Sequence, residues 1–327
     1  YRFTRGFSYS FPSGTFLGAQ SYLAVCRNVA AVKSYYGISN AIGGFTQILD
    51  NSGETIELSN PQGAVVSSVS YNDRGRWPAG AKGTGHSLSI RYPYSDPSDP
   101  DSWALSAQMG GTPGAENFGA QPSSRDVIIN EAYCRYGVAG TRFVELYNTG
   151  ASAVDVSGFY LSDDFADLKK YAIADGTSIP ARGWLAFTEA ETGLDLAFAP
   201  VSRERIPVAL TNPAGTRVVD AAIFEPTADG KSEARIPDGD RVFQPAADPT
   251  QGAANASPVI TDVVFNEIMY NQLSGDESAE YIELYNRGGV AVDLSSWRVE
   301  GVGLTFPTGT VIEAGACGVP VVASNAP

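Results

Sequence analysis

Histidine occurs once, at His86, methionine twice and cysteine three times in 327 residues. Cys26, Cys134 and Cys317 are too few, and odd in number, for a disulfide framework. No CxxC pair and no Cys/His spacing points to zinc. No apolar run approaches the roughly 20 residues that span a bilayer as a helix, so membrane insertion is not expected. Positive charge is sparse: 22 Lys and Arg stand against 36 Asp and Glu, a formal charge of −14. The basic residues are scattered singly, whereas nucleic-acid binders present a basic face, so nucleic acid is not an expected partner. An acidic surface of this kind keeps an extracellular protein soluble. A G-x-S-x-G elbow, a Walker loop and HExxH are all missing. The opening YRFTRGFSYSFPSGTF has no initiating Met and no secretory signal, and is already strand-like.

Turn formers and β-formers are abundant instead. Gly 35 and Pro 20 punctuate a chain rich in Val, Ile, Leu, Phe and Tyr, which suits turn-rich β structure rather than disorder. In FVELYN, Phe143, Glu145 and Tyr147 fall on one face of a strand, and Val144 and Leu146 on the other. Further short runs (VIIN, VDVSGFYL, YAIAD, GWLAFT, VALTN, RVVDAAIF) are separated by turn signals such as NTG, NPAG and PDGD. The pattern predicts an all-β protein of immunoglobulin-like antiparallel β-sandwiches. Only AVKSYYG, residues 31–37, reads as a helix.

The text also repeats. DVIINEAY (126–133) matches DVVFNEIM (262–269), RFVELYNTG (142–150) matches EYIELYNRG (280–288), and AVDVSGFYL (153–161) matches AVDLSSWRV (291–299). Glu145 and Glu283 lie 138 positions apart, and Asn130 and Asn266 lie 136 apart. The rest of the unit recurs elsewhere. FPSGTFLGAQSYLAV (11–25) resembles DGTSIPARGWLAF (175–187) and FPTGTVIEAGACGVPVV (306–322). SNPQGAVVSSVSY (59–71) resembles TNPAGTRVVDAAIF (211–224), and GGTPGAEN (110–117) resembles DPTQGAAN (248–255). The expected organisation is the C-terminal part of one unit in residues 1–123, a complete unit in 124–256, and the N-terminal part of a third in 257–327. The first unit is longer than its counterpart, with insertions at AAVKSYYGISNAIGG (30–44) and the loop YPYSDPSDPDSW (92–103). Insertions of this kind often carry a repeat's function.

The blocks NE(I/A), (F/Y)(V/I)ELYN, VD(L/V)S(G/S)(W/F) and the closing (T)PGAEN resemble the lamin tail domain, most of all its tandem form on large secreted or surface bacterial proteins. The resemblance covers nearly the whole chain in three partial or complete copies. It implies an Ig-like sandwich with no catalytic machinery of its own. One departure is Cys317, which stands where the other copies have Tyr22 and Trp184.

Glu131 and Glu145, repeated as Glu267 and Glu283, form carboxylate pairs, but every copy has them, whereas a glycosidase needs one pair in a cleft. The plain expectation is that they cap turns or pair with Arg across a sheet. The acidic loops SDDFAD (162–167), SGDESAE (274–280) and SDPSDPD (95–101) carry oxygen ligands that would suit Ca²⁺, without the DxDxDG spacing. His86 is poorly placed to activate Ser87 or Ser89, since neighbours on a strand point to opposite faces. Its counterpart is Lys231, and an exposed structural histidine is expected. Tyr22, Phe159, Trp184 and Trp297 recur with the repeat and should be core. Trp77, Trp103, Tyr92 and Tyr94 belong to the long loops, and mark where a glycan or partner would be sought first. Asn255-Ala256-Ser257 is a formal glycosylation sequon.

The expectation is therefore a non-enzymatic, extracellular or cell-surface structural protein without cofactor or catalytic, cofactor-binding or metal residues. It would act in self-assembly, spacing or adhesion. Either the chain is a window on a longer tandem array, or neighbouring subunits complete its half-domains head to tail, as heterologous contacts can. The alternative is a non-catalytic targeting module beside a secreted nuclease, phosphoesterase or spore-coat-H-like kinase.

Overall fold

The computed structural model describes residues 1–118, 126–135, 141–199, 205–227, 230–259, 261–271, 279–299 and 301–322. It falls into two units, Tyr1–Pro258 and Val259–Pro327.

In the first unit, residues 1–118 form β1 (Arg2–Arg5), β2 (Tyr9–Ser10), β3 (Ala24–Cys26), β4 (Ala41–Gly43), β5 (Gly53–Ser59), β6 (Val65–Asn72), β7 (Leu88–Ile90) and β8 (Trp103–Leu105). The expected helix is α1 (Val29–Tyr36). Asn28 caps it by accepting from the Ala31 N–H at 2.9 Å, and Gly37 ends it in the left-handed conformation that glycine adopts without strain.

Residues 126–258 contribute β9 (Val127–Tyr133), β10 (Phe143–Asn148), β11 (Val154–Asp155), β12 (Tyr160–Ser162), β13 (Tyr171–Ala172), β14 (Ser178–Ile179), β15 (Trp184–Thr188), β16 (Ile206–Thr211), β17 (Val218–Phe224), β18 (Ser232–Arg235) and β19 (Phe243–Ala246). One sheet has the order β15-β10-β9-β18-β19 and the other β13-β12-β16-β17, with every pairing antiparallel. Ile129, Val144 and Leu146 from the first sheet meet Leu161, Val208 and Leu210 from the second in one core. Sequence reading missed the single turn α2 (Glu189–Thr192), capped by the Thr188 hydroxyl. Asn148 is a staple within the repeat, its side-chain amide donating to the carbonyls of Ser152, Ile179 and Pro180.

The first segment repeats part of this plan. Its sheet order β2-β1-β5-β6 reproduces β13-β12-β16-β17, and the β7–β8 hairpin reproduces β18–β19. It packs onto β17 through a tight turn at Ala79–Ala81. A Cβ on Gly80 would lie 2.8 Å from Leu105 and 3.1 Å from Ala221, so only glycine lets the turn come this close.

In the second unit, β20 (Val263–Met269), β21 (Tyr281–Asn286) and β26 (Cys317–Val322) form one sheet. The short pairs β22 (Val292–Asp293) with β25 (Val311–Ile312), and β23 (Arg298–Val299) with β24 (Leu304–Thr305), complete the described part. Leu284, Leu294, Val299, Phe306 and Ile312 make a small core. Asn286 repeats the Asn148 staple, donating to Val290 and Ile312.

Candidate interaction site

In FVELYN every residue is buried, including the face that carries Glu145. What covers that face begins with a bulge. Opposite β10, β9 pairs Glu131 with Glu145 and then Ile129 with Leu146, which leaves Asn130 as the extra residue.

The closing turn of the copy, residues 248–255, lies over the two carboxylates and is held by them. Thr250 donates its backbone N–H to both oxygens of Glu131 at 3.1 Å and its hydroxyl to Oε2 at 3.0 Å. Ser232 of β18 donates its hydroxyl to Glu131 at 2.5 Å. Glu145 accepts the Gly252 N–H at 2.6 Å and the Asn130 amide at 3.3 Å. Asn130 also donates to Asp238 at 2.8 Å and accepts from the Gly239 N–H. Asn255 closes the set, donating to the carbonyls of Arg235 and Asn130. Of the two plain expectations for the glutamates, the structure takes the first: they cap a turn. Among the described residues no arginine or lysine pairs with either. Burial pushes both carboxyls up, Glu145 to about 8, against the hydrogen bonds that favour the charged forms.

The same clasp appears elsewhere in two separate pieces. The first segment has the turn: Thr112 donates to Asn117 at 3.2 Å, as Thr250 does to Asn255 at 3.2 Å. Asn117 donates to Ile90, as Asn255 does to Arg235. Gly114 and Gly252 share a positive φ, +79° and +76°. Among the described residues no carboxylate accepts from Thr112 or Gly114. The second unit has the carboxylates: Glu267 pairs with Glu283 across β20 and β21, Asn266 is the bulged residue, and its amide donates to Glu283. Sequence reading singled out these glutamates but missed Ser232, Thr250 and Gly252 as their partners, and Asp238 and Asn255 as those of Asn130. The signal was the recurrence of Thr and Asn in GGTPGAEN and DPTQGAAN.

The other candidates sit apart from this site. His86 is buried, not exposed as expected, because it lies at the seam where the first segment packs onto β17. Its Nε2 accepts the Val218 N–H at 3.0 Å and its Nδ1 lies 2.9 Å from the Ser106 carbonyl, so the proton is on Nδ1. Ser87 and Ser89 bond each other, away from the imidazole. Phe159 packs against the core, but Trp184 is half-buried on Tyr147 at 5.6 Å, on the other face of its sheet. Tyr22 and Trp297 are exposed, against expectation, and among the described residues no strand covers either. In the long loops, Trp77 is buried beside Trp103, whose indole N–H donates to Pro97, whereas Tyr92 and Tyr94 are exposed.

The acidic loops are occupied by their own turns. Asp163 pairs with Lys170 at 2.8 Å, and Asp101 with Arg76 at 2.7 Å, while 274–278 of the third loop lie outside the described residues. Among the described residues no three His, Cys, Asp or Glu converge as metal ligands. The amide that a glycan on Asn255 would occupy is spent within the clasp. A cleft of about 500 Å³ follows the seam between the first segment and β17, lined by Arg74, Arg76, Arg91, Arg205, Arg235 and Arg241. Carboxylates neutralise most of these: Arg205 meets Asp73 at 2.7 Å and Arg235 meets Asp220 at 3.1 Å. Burial alone would push the Asp73 carboxyl up, yet hydrogen bonds from Lys82 and Arg205 hold it below the usual range. The Asp73–Arg205 pair crosses the seam and holds its two sides together.

The family model for the Lamin Tail Domain matches residues 120–224 and again 256–325. No curated protein and no solved structure matches the chain. The two matched stretches each open on the bulged strand that carries the Asn-Glu pair, and the sheets built on it are antiparallel and sandwich-like. The chain belongs to the lamin tail domain family, whose fold is a non-catalytic immunoglobulin-like β-sandwich.

Proposed function

We propose that this protein is an extracellular or cell-surface structural module that works by self-association, spacing one sandwich from the next and presenting their loops for adhesion. One observation carries the reading: the carboxylate clasp is closed once and open twice, with the turn alone in the first segment and the carboxylates alone in the second unit. A turn without its carboxylates and carboxylates without their turn can meet between copies, as heterologous contacts do, and a net charge of −14 suits a solvent-facing setting. The glutamates serve the fold in this reading, since each oxygen pair is committed to backbone and hydroxyl donors.

Sedimentation velocity over a wide concentration range tests it. The weight-average mass should climb above 34.5 kDa as concentration rises. A mass that stays at 34.5 kDa throughout removes self-association as the function. Labelling of intact source cells with an antibody to the folded chain tests the location, and signal only after permeabilisation would refute it.

A further inference from the structure

Charge in the seam cleft is matched at one end and not at the other. Arg205 meets Asp73 at 2.7 Å and Glu225 at 3.3 Å, and Arg74 reaches the same two carboxylates. Towards the long loop, three guanidiniums line the cleft from separate parts of the fold: Arg76 after β6, Arg91 at the end of β7 and Arg241 in the β18–β19 turn. Asp101 takes Arg76 at 2.7 Å and Arg241 at 3.2 Å, and Asp99 takes Arg76 at 3.4 Å. Asp240, the neighbour of Arg241, spends its Oδ1 on the Arg241 and Val242 N–H groups. Among the described residues no carboxylate pairs with Arg91. Its Nε donates to the Trp103 carbonyl at 3.1 Å, which positions the guanidinium and leaves its two terminal nitrogens without an acceptor among the described residues. The side chain is half-buried, and burial first, then the Arg241 charge, holds it below its ordinary pKa. The repeat does not ask for this cation: five positions on from His86 and Lys231, Arg91 stands where the complete copy has Ile236.

We infer that the Arg91 end of this cleft binds an acidic sugar, with Arg91 and Arg241 on its carboxylate or sulfate group and the Trp103 and Phe243 rings against its body. A guanidinium fork matches two oxygens of either acid group. An anion between Arg91 and Arg241 relieves the repulsion of two cations that Asp101 offsets only in part. The lining supplies the rest of the recognition. Trp103 spends its indole N–H on the Pro97 carbonyl at 3.0 Å, so what it gives the cleft is its ring, and Phe243 is half-buried in the same lining. The volume of about 500 Å³ is in the range of small-molecule sites, and far more than a bare oxyanion fills. Trp103 and Asp101 belong to the loop 92–103, an insertion relative to the complete copy, and Arg91 directly precedes it. The site stands apart from self-association, since every residue in it comes from one chain.

The test titrates the full chain with glucuronate, sulfated glucose, plain glucose and sodium sulfate, following the indole N–H signals of isotope-labelled tryptophan. One or both acidic sugars should shift the Trp103 signal, and which of them does so identifies the acid group. The signal of Trp184, on the opposite edge strand of the β15-β10-β9-β18-β19 sheet, should stay in place. Plain glucose should shift neither. Arg91→Gln and Arg241→Gln should each weaken the binding roughly 10- to 100-fold, the loss of one charge-assisted bond. Arg91→Lys keeps the charge without the fork and should fall between. Arg74→Gln, at the matched end of the cleft, should bind like the parent. Circular dichroism of each variant should match the parent, and Arg241→Gln, whose side chain is 58% exposed, carries the test if Arg91→Gln fails to fold. No shift with either acidic sugar overturns the site, as does binding that survives both Arg→Gln changes. Sodium sulfate bound as tightly as the sugars, or an acidic peptide bound more tightly, overturns the ligand class.

Discussion

Glu131 and Glu145 stand opposite one another across β9 and β10, both wholly buried, with a turn of backbone N–H groups rather than a cation over them. Desolvation raises both carboxyls, so each gives up its proton at a higher pH in the folded chain than in the unfolded one. That single relationship links the repeat motif to pH behaviour and to the closing turn.

The first expectation is a loss of stability with rising pH. Glu145 is raised from 4.5 to about 8, and Glu233, also through burial, to about 7. The native state therefore binds more protons than the unfolded state between these values, and stability present below about 4.5 drains away as pH rises towards 8. Asp73 and Asp163 are lowered despite burial, by hydrogen bonds from Lys82 and Arg205 and from Lys170, so stability is also lost below the usual carboxylate range. Melting curves should peak between the two limits. Glu145→Gln should flatten the alkaline side only, and an unchanged alkaline slope would refute the assignment.

Thr250→Val keeps the backbone donor to Glu131 but removes the hydroxyl. A cost of about 1–3 kcal/mol is expected for leaving a buried acceptor short of a donor, read from urea unfolding of the full chain. The equivalent Thr112→Val should cost much less in isolated monomers, because among the described residues no carboxylate accepts from Thr112.

Ile129 and Phe265 hold the same place in the repeat and opposite places in the fold. Ile129→Ala should cost about 2–5 kcal/mol through the cavity it leaves. Phe265→Ala, at concentrations where the chain is monomeric, should stay within about 0.5 kcal/mol. Similar losses at both positions would show that the β20 face is already covered.

His86→Leu removes the acceptor for the Val218 N–H without emptying the site. The first segment should loosen from β17, at a cost of about 1–3 kcal/mol, and the Val218 amide should exchange faster with deuterated solvent. Unaltered exchange there would place the hold elsewhere in the seam, at Gly80 or the Asp73–Arg205 pair.

Much of this was legible in the residues themselves. Alternation in FVELYN and the Gly, Pro and Asn punctuation predicted strands and turns, because the period-two alternation of side chains between faces and positive-φ turns are local matters. The recurrence of Asn130 with Asn266, and of Thr112 with Thr250, made the repeat plain, and AVKSYYG stood out as a helical run among short strands. Burial was not legible. Nothing in GTGHSLSI tells whether His86 faces water, since that depends on β17, more than a hundred residues away. Tyr22 and Trp297 carry the same repeat signal as Phe159 and yet are exposed, for a residue's own neighbours cannot say whether the opposing strands are present.

The sequence by itself determined which strands can form, where they turn, and that one unit recurs along the chain. Those properties reside in side-chain periodicity and backbone preference within a few residues. Tertiary structure alone decided that two glutamates on adjacent strands become a buried clasp, and which copies of it close. A carboxylate takes its character from whatever covers it, and here the cover comes from a turn 119 and 107 positions away in the chain.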